Sequence, residues 1–394
     1  MLKTKTITLS IVLILGLFTG LVCFAEDRAS RIHHKADLVQ HTAEQWAQQG
    51  KNPAQAVELM KQASAAFERG NADQGEAHLD QAMQALDLTG TSAQPTDKHA
   101  LSSHEPTSNL YANPERVDII GYTEDSMEPC ISPDGQYMFF NGSNADDIDV
   151  HISLAKRISD TRFQYLGLLP GVQSAHRDMA PSLDRYNNIY FTTLRSIAED
   201  GKSLYVGKWH QLNVSAPRTV DGDISPPRPG TPSIWVNMDC GISPDGCTLF
   251  ISRAQIMRGE PGPRQSDLLL ANREANGHFN ISPQSAQLLK RVNTRALEYA
   301  PCVSADGLEL YFTRAMAPDQ IDTRPDSPLV QIMVAKRSSI DKPFGEPERL
   351  VALDGFGEAP STTLDKGEMF YHKKDGKFFH IYRAKRSAIK MTSL

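Results

Sequence analysis

The chain contains few cysteines: five among 394 residues, one of which lies in the apolar stretch near the N-terminus. The other four are Cys130, Cys240, Cys247 and Cys302. This density is far below that of small folds held together by disulfides. Three of the four recur at nearly equivalent positions of a repeat described below, which keeps them in separate repeats. We therefore expect free thiols that pack as small buried hydrophobic side chains.

Signatures of several enzyme and binding classes are also missing. The sequence has no P-loop, no dinucleotide-binding glycine motif and no nucleophile elbow. Its histidines lack metal-ligand spacing, and the acids at Asp146–Asp149 come without the glycine and glutamate of an EF-hand loop. The net charge of −6 excludes the general basic excess of nucleic-acid-binding proteins. The sequence therefore predicts no cofactor and no metal, save for a structural cation that a carboxylate-lined channel could hold.

Only one long, mainly apolar run is present, and it lies near the N-terminus. It extends from Ile7 to Phe24, follows two lysines and ends before two acidic residues. Cys23 and Ala25 place small residues at the −3 and −1 positions of a signal-peptidase site. This pattern predicts a signal peptide over residues 1–25, a periplasmic or secreted protein, and no transmembrane segment after cleavage. A retained N-terminal anchor is the alternative.

Residues 26–90 carry helical signals. Asn52-Pro53 combines an N-cap with proline at the first helical position, and Gly70-Asn71 ends one helix and caps the next. Apolar residues recur at helical spacing at Val57, Met60, Ala63, Phe67, Leu79, Ala82, Met83 and Leu86. The stretch resembles a tetratricopeptide-type hairpin, although one hairpin is too short for a solenoid. We expect a small helical module or partner-docking hairpin, followed by a linker over residues 91–113.

Residues 114–388 contain five copies of one repeat. The copies start near Pro129, Pro181, Cys240, Pro301 and Pro360, which are 52 to 61 residues apart. Each first motif, such as EPCISPDGQYMFF, places a turn between two apolar stretches, which is typical of a β-hairpin. Each second motif, such as VHISLAKR, alternates apolar and polar residues like a half-buried strand, although Arg383 breaks this pattern in the last copy.

Four-stranded units at this period are typical of propeller blades. The predicted fold class is therefore all-β: a five-bladed β-propeller with four-stranded blades, preceded by the small α-helical region. A strand-like segment, Val117–Ile120, precedes the first copy, whereas the last copy ends soon after Arg386. We expect this segment to pair with the last blade and close the ring, which removes the free sheet edges.

The repeat resembles the WD40-like (PD40) repeats of TolB-type propellers. That signature runs proline, Ser-Pro-Asp-Gly, an apolar-aromatic strand and then Asp-Ile-Tyr-Val. The segments 132–135 and 243–246 match Ser-Pro-Asp-Gly fully, the segment 304–307 is close, and the second and fifth copies depart from it. The resemblance covers residues 117–386 and implies the fold. It implies little about function, because the motif forms the turn that builds a blade.

The insertions are expected to lie on one face of the propeller, the long-loop face. They are Gly142–Asp149, Ala254–Ser266, Ala315–Pro328 and Val214–Val236. Long loops on one rim of a rigid scaffold commonly carry binding sites, whereas tolerated drift in surface loops is the alternative.

Acidic residues come shortly before each inner strand on that face. These candidate catalytic residues are Glu128, Asp178, Asp239, Glu298 and Glu358. A ring of carboxylates at the channel mouth can hold a cation, bind sugar hydroxyls or supply the acid and base of glycoside cleavage. Their offset from the proline of the repeat, or its equivalent, varies from one to three residues, so the ring is imperfect. The resemblance to PD40 repeats implies the alternative, an acidic residue that makes structural hydrogen bonds between neighbouring blades.

Basic residues gather on the same face and are the candidate ligand-binding residues. They are Arg177, Arg195, Arg253, Arg295 and Arg314, together with Lys373 and with His176 beside Asp178. Arginine suits bidentate pairing with carboxylate or phosphate. Ion pairs from blade to blade are favoured over recognition of an external anion.

A strong repeat without a strong catalytic motif favours a binding protein. We expect an exported propeller that engages a protein or glycan partner through its long-loop face, with the helical hairpin as a second docking element. The alternative is a carbohydrate-active enzyme, a glycoside hydrolase or polysaccharide lyase, that uses carboxylates at the channel mouth. Carboxylates that converge in an open pocket would support the enzyme, whereas pairing of each with an arginine would oppose it.

Overall fold

The structure is a computed structural model that describes residues 39, 43, 52, 54–86, 106–142, 150–197, 200–226, 233–257, 262–316 and 329–387. The predicted signal peptide, most of the predicted linker and the acids at Asp146–Asp149 lie outside these residues, as do parts of all four long-loop insertions. The chain forms two compact parts. The first contains the long helices, and the second contains the sheets and a short helix.

The helices of the first part whose bounds the described residues give are α1 (Ala54–Glu68) and α2 (Ala72–Ala85). Both predicted N-caps are confirmed. The Asn52 side chain accepts the backbone N–H of Ala54 at 3.0 Å, and the Asn71 side chain accepts a backbone N–H of α2 at 3.2 Å. These bonds satisfy N–H groups that have no partner within the first turn of a helix.

The apolar face of α1 differs from the prediction at one position. Val57 is 38% exposed, and its neighbour Ala56 is buried in its place. The buried side chains of this part include Val39, Ala43, Ala56, Ala82 and Leu86. No helix among the described residues is long and apolar enough to cross a membrane.

The second part is built of strands, most of which form five sets that we call modules 1 to 5. Three short strands come first: β1 (Thr107–Ser108), β2 (Tyr111–Arg116) and β3 (Asp118–Ile120). Module 1 contains β4 (Met127–Ile131), β5 (Tyr137–Asn141), β6 (Ile152–Ser159) and β7 (Arg162–Leu168). Module 2 contains β8 (Asp178–Leu183), β9 (Asn188–Ser196), β10 (Lys202–His210) and β11 (Asn213–Thr219). Module 3 contains β12 (Ser233–Ile242), β13 (Thr248–Met257), β14 (Pro263–Arg273) and β15 (Phe279–Ile281). After the short helix α3 (Ser285–Leu288), module 4 contains β16 (Leu297–Val303), β17 (Glu309–Ala315), β18 (Val330–Lys336) and β19 (Glu348–Leu350). Module 5 follows a 3-10 turn (Val351–Leu353) and contains β20 (Gly357–Thr362), β21 (Glu368–Asp375) and β22 (Phe378–Arg386).

Successive strands within each module pair in antiparallel fashion, and the short N-terminal strands extend three of the sheets. Strand β3 lies parallel to β7 of module 1, and β1 lies parallel to β19 of module 4. Strand β2 is antiparallel to β22 and supplies the fourth strand of the module 5 sheet. Modules 3 and 4 share one sheet through a single parallel bridge between Ser266 and Leu297.

The strand that pairs with the last module is therefore Tyr111–Arg116, and the prediction of Val117–Ile120 for this role is wrong. Only the backbone N–H of Val117 bonds to the last strand, at 2.8 Å from the Ile381 carbonyl oxygen. The residues after it pair with module 1 instead. The apolar residues of that segment pack into a core cluster, whereas β2 lies at a sheet edge and is anchored by the fully buried Tyr111.

Hydrophobic clusters lie between consecutive modules, and a further one lies between the last module and the first. Phe139 of module 1 packs with Phe191 and Trp209 of module 2, and Phe163 of module 1 packs with Phe370 of module 5. The first strands also contact one another in turn, from β4 through β8, β12, β16 and β20 back to β4. Burial between modules, which is non-directional, therefore connects sheets that few hydrogen bonds join.

The repeated turn of the first motif is held by short-range bonds. In module 1 the Ser132 hydroxyl donates to Asp134 Oδ1 at 2.5 Å and accepts the backbone N–H of Tyr137 at 2.9 Å. Gly135 follows with φ of +70°, a conformation that favours glycine. The same Ser-Asp bond recurs between residues 243 and 245 and between residues 304 and 306.

The second motif also behaves as the alternation predicts, because its repeated aliphatic residues are all buried: Ile152, Leu204, Leu268, Ile332 and Ile381. The four cysteines of the second part are free thiols, but the expectation that all are buried is wrong for Cys247, and Cys302 is only partly buried. This residue follows the Asp-Gly turn of module 3, and its side chain is exposed.

Candidate functional site

The first strands of the five modules line a narrow cavity of about 60 Å³, which we call the channel cavity. Its lining includes one repeated position occupied by Glu128, Ala180, Asp239, Ala300 and Ala359. At four of the five, Asp239 excepted, φ lies between +49° and +52°. The strand register shifts at these four positions, which is the geometry of a β-bulge.

The five candidate acids do not share this position. Glu128 and Asp239 occupy it, Glu358 lies one residue earlier than its Ala359 neighbour, and Asp178 and Glu298 lie two residues earlier than the corresponding alanines. An offset of one residue turns a side chain to the other face of a strand, and an offset of two moves it along the strand, so the carboxylates lie in different surroundings. Only Glu128 and Asp239 line the channel cavity.

Asp178 is fully buried and bonded within module 2. Its Oδ1 accepts from Arg195 at 2.5 Å, and its Oδ2 accepts from the backbone N–H and the hydroxyl of Ser174 at 2.9 and 3.0 Å. His151 Nδ1 lies 3.6 Å from the same oxygen. The carboxylate thus orients the connection that leads into β8.

Glu298 repeats this arrangement in module 4. Its Oε1 accepts from Arg314 at 2.9 Å and from the Thr294 hydroxyl at 2.6 Å, and its Oε2 accepts the Thr294 backbone N–H at 3.0 Å. Burial raises the pKa of Glu298 to about 7, although Arg314 and Thr294 act in the opposite direction. Both arginine–acid pairs join strands of one module, so the predicted ion pairs from blade to blade are not found for these acids.

Glu358 belongs to a buried polar group with Tyr299 and His372. The Tyr299 hydroxyl donates to Glu358 Oε1, and His372 Nε2 lies 2.8 Å from Glu358 Oε2. His372 Nδ1 accepts the backbone N–H of Glu128 at 3.1 Å. Since a backbone N–H can only donate, Nδ1 carries no proton, and the proton of the neutral ring is on Nε2, where it bonds to the carboxylate.

Glu128 and Asp239 each accept a hydrogen bond from the backbone of the following module. Glu128 Oε2 accepts the N–H of Ala180 at 3.0 Å, and Asp239 Oδ2 accepts the N–H of Ala300 at 2.9 Å. Burial raises the pKa of Asp239 to about 6. These two are the candidate acids with a side chain at the cavity.

Sequence reasoning missed three side chains that bond to the bulged backbone of the following module. Asn141 Oδ1 accepts from Ala180 at 3.2 Å, Thr313 Oγ1 accepts from Ala359 at 2.9 Å, and His372 accepts from Glu128. All three lie toward the end of a second strand, where a polar residue interrupts an apolar run. That interruption is the signal that could have found them.

The candidate basic residues fall into three groups. Arg177 is 3% exposed, and Arg195 and Arg314 pair with the buried acids. Arg253 is half-buried and donates to the Asn237 side chain at 3.1 Å and to the Ile224 carbonyl oxygen at 2.6 Å; burial lowers its pKa. The exposed members are Arg295 and His176.

Lys373 donates to the carbonyl oxygen of Asp354 at 2.7 Å. Among the described residues, no three His, Cys, Asp or Glu side chains are arranged to hold a metal ion. The strongest electrostatic features of this site are therefore carboxylates that the protein itself neutralises or hydrogen-bonds.

No protein-family model and no curated protein matches the chain. Among solved structures, it is similar to TolB from Acinetobacter baumannii, with 14% identity over 67% of this chain and 55% of that chain and a TM-score of 0.35. It is also similar to a family 117 glycoside hydrolase from Zobellia galactanivorans, with 10% identity over 70% of this chain and 91% of that chain and a TM-score of 0.43. A third is the catalytic domain of the GH62 α-L-arabinofuranosidase from Coprinopsis cinerea, with 11% identity over 72% of this chain and 98% of that chain and a TM-score of 0.42. The chain spans about half the length of this TolB, and proteins with such different names all match weakly. The comparisons therefore do not separate a binding protein from an enzyme.

Proposed function

We propose that the protein is an exported five-bladed propeller of the PD40 type that binds a protein or glycan partner without cleaving it. The five modules are its blades, and β2 completes the last one. The observation that carries the proposal is that each of the five candidate carboxylates accepts hydrogen bonds from the protein itself. A catalytic carboxylate must instead have an oxygen within hydrogen-bond reach of the substrate.

Burial strengthens the argument for three of the five. Asp178 and Glu298 are 0% exposed, and Glu358 is 2% exposed. A glycosidic oxygen cannot approach these groups unless the strands that cover them separate. Their bonds to Arg195, Arg314 and His372 support a structural role, because a buried charge is costly unless it is paired.

The proposed binding surface is the face on which the connections between modules enter the first strands. Among the candidate basic residues, His176 and Arg295 are exposed, and Arg195, Arg253 and Lys373 are partly exposed. Cations on a protein of net charge −6 favour a partner that presents carboxylates, such as an acidic protein segment or a uronate-bearing glycan.

Two positions allow a matched test of this face with a protein partner. Arg295 lies two residues before β16, whereas Ile340 is 67% exposed and lies beside the Asp-Gly turn of module 4 at the other end of the strands. A photo-crosslinking amino acid at position 295 is expected to label one partner in the native cell envelope, and the same amino acid at position 340 is not. Equal labelling at both positions would contradict the proposed face.

The glycan arm uses immobilised polyuronate and a neutral polysaccharide as probes. The mature chain should bind the polyuronate more tightly, and Arg295→Ser should weaken this binding, while Arg162→Ser on the exposed β7 should leave it unchanged. Absence of both a position-dependent crosslink and a polyuronate signal would refute the proposal.

A carbohydrate-active enzyme is the second candidate, now limited to Glu128 and Asp239. The observation in its favour is that both line the channel cavity while the pKa of Asp239 is raised to about 6, as for a general acid. Two carboxyl groups across one cavity are the minimum for glycoside cleavage.

Acid-to-amide variants separate the two candidates. If the protein is an enzyme, Glu128→Gln or Asp239→Asn abolishes release of reducing ends from a polysaccharide panel, whereas Asp118→Asn, at an exposed ion pair on β3, does not. The binding proposal predicts no release above background for the unmodified protein or any of these variants.

A further inference from the structure

A second cavity, of about 360 Å³, lies between modules 2 and 3. It shares no lining residue with the channel cavity. Its volume is within the range of small-molecule sites. The side chains that matter below are Asn188, Tyr190, Lys208, Arg218, Asp221 and Arg273. We call it the lateral cavity.

Comparison of the modules shows which group the lateral cavity lacks. Four modules carry an arginine at one equivalent position near the end of the third strand: Arg157, Arg273, Arg337 and Arg386. In two cases this arginine bonds to the glutamate that begins the second strand of the preceding module. Arg157 bonds to Glu368, and Arg386 bonds to Glu309.

The bond between Arg386 and Glu309 shows the full arrangement. Arg386 Nη1 and Nη2 donate to the two oxygens of Glu309 at 2.9 and 2.6 Å, and the Tyr311 hydroxyl donates to Glu309 Oε2 at 2.5 Å. Arg386 Nη1 also lies 3.1 Å from the Tyr311 oxygen. A planar guanidinium and a phenol hydroxyl thus hold one carboxylate between modules 4 and 5.

The lateral cavity has an arginine and a tyrosine at the equivalent positions, but it lacks the glutamate. Arg273 donates to the Tyr190 hydroxyl oxygen, as Arg386 does to that of Tyr311. The position of Glu309 is occupied by Asn188, which is bonded to Asp184 through its side-chain amide at 2.6 Å. The cavity opens beside these residues.

Arg273 packs against an aromatic ring that fixes its position. Its guanidinium lies over the Phe279 ring at 4.8 Å from the centroid, and Phe279 is 1% exposed. Because Tyr190 accepts its bond from Arg273, the hydroxyl hydrogen of Tyr190 remains able to donate. Burial raises the pKa of Tyr190 well above its ordinary value, so this hydrogen is retained at neutral pH.

The charges around the cavity favour an anion. Its lining includes Lys208, Arg218 and Arg273 and one acid, Asp221, which lies 3.9 Å from Arg218 in a half-exposed pair. Asp184 is not among the lining residues, and its carboxylate accepts the side-chain amide of Asn188. Such pairs contribute little, so the excess of cations persists in a protein whose net charge is negative.

We propose that the lateral cavity binds a small carboxylate ligand, which Arg273 and Tyr190 hold as Arg386 and Tyr311 hold Glu309. The ligand supplies from outside the group that the repeat supplies elsewhere from its own chain. Lys208 and Arg218 would then contact further oxygens of the same ligand. This site is separate from the face and the channel discussed above, and it does not depend on them.

The interface between modules 3 and 4 provides an internal control. Arg337 has no glutamate opposite it either, but it donates to the carbonyl oxygens of Gly307 and Ile340 at 2.8 Å each. Leu288 and Val292 are buried in the core cluster of this interface, and Phe344 lies under the guanidinium. A missing glutamate therefore does not by itself create a site.

The test is a titration of the mature protein with acetate, citrate and galacturonate, with galactose as the neutral counterpart and inorganic phosphate as the other oxyanion, followed by calorimetry or ligand-observed NMR. At least one carboxylate is expected to bind saturably, and galactose is not. Arg273→Gln should weaken that binding about tenfold or more, the effect of losing charge-assisted hydrogen bonds. Arg337→Gln should leave it unchanged.

Asn188→Glu gives an independent readout, because it rebuilds the internal arrangement and fills the place of the ligand. It should abolish carboxylate binding while the protein remains folded by circular dichroism. Saturable binding that neither Arg273→Gln nor Asn188→Glu alters would overturn the proposal, as would binding of none of the three carboxylates. Tighter binding of phosphate than of every carboxylate would overturn the assignment of ligand class.

Discussion

The buried contact at His372 gives the most specific prediction about what holds the first and last modules together. His372 is 2% exposed, accepts the backbone N–H of Glu128 and donates to Glu358. Replacement by alanine leaves the Glu128 N–H without its acceptor, which costs about 1–3 kcal/mol when the group is buried. It also removes one of the two hydrogen bonds that the buried Glu358 carboxylate accepts, from Tyr299 and His372. Hydrogen bonds to charged groups contribute about 1.5–3 kcal/mol. We expect His372→Ala to lower the free energy of unfolding by about 2.5–6 kcal/mol, the sum of these two losses.

Thr313 provides the matched control. It accepts the equivalent backbone N–H, that of Ala359, but bonds to no carboxylate among the described contacts. Thr313→Ala should therefore cost only about 1–3 kcal/mol. Urea unfolding of the mature protein, followed by fluorescence and by circular dichroism, measures the difference between the variants. Equal destabilisation by the two would refute the role assigned to the bond between His372 and Glu358.

Three further predictions concern stability and reactivity. Because burial raises the pKa of Asp239 from 3.8 to about 6, the folded protein holds this proton more tightly, so stability falls as pH rises from 4 to 7. In urea unfolding measured across this pH range, Asp239→Asn should reduce the loss of stability by at most about 3 kcal/mol. An unchanged dependence of stability on pH would contradict the raised pKa of Asp239. Gly222→Ala should destabilise far more than Gly277→Ala, since both have positive φ but only at Gly222 would a Cβ lie 1.9 Å from a backbone oxygen, that of Phe279; equal melting temperatures would contradict this. Among the four thiols of the second part, Cys247 should react first with a thiol reagent, because its side chain is exposed. Mass spectrometry of the labelled peptides identifies the thiol that reacts first, and earlier labelling of any other cysteine would contradict this.

The parts of the fold that could be predicted from the sequence are those set by neighbouring residues. The turn after Ser132 depends on Asp134 and Gly135, which lie within three residues of it. The third strands are visible because burial of every second residue leaves an alternating pattern. Five copies of both signals made the repeat clear, although no single copy would have done so.

Contacts between distant parts of the chain were harder to predict. The strand β2 carries proline and charged residues and looks like a linker, yet it pairs with β22 more than 250 residues later. The bond between Glu128 and His372 spans 244 residues, and nothing local to either residue indicates it. The acids before the first strands were found from the sequence, but an offset of one or two residues decides whether such a side chain lines the channel cavity or is buried against a histidine or an arginine.

The lateral cavity illustrates what comparison of the repeats can add. The presence of Asn188 where other copies have Glu309 and Glu368 is visible in the aligned repeats. The consequence of this replacement is not visible in the sequence, because the arginine that faces Asn188 comes from the next module. In the interface of Arg337 the glutamate is also missing, but there backbone oxygens accept the hydrogen bonds of the arginine.

The central claim is that the carboxylates at the channel hold the modules together and leave binding, not cleavage, as the function. Isothermal titration calorimetry with the partner identified at position 295, or with polyuronate, separates binding from cleavage in one trace. We predict a saturable binding isotherm without continuing heat flow, and the same affinity for the Glu128→Gln/Asp239→Asn double variant. A sustained heat of turnover that disappears in the double variant would contradict the account.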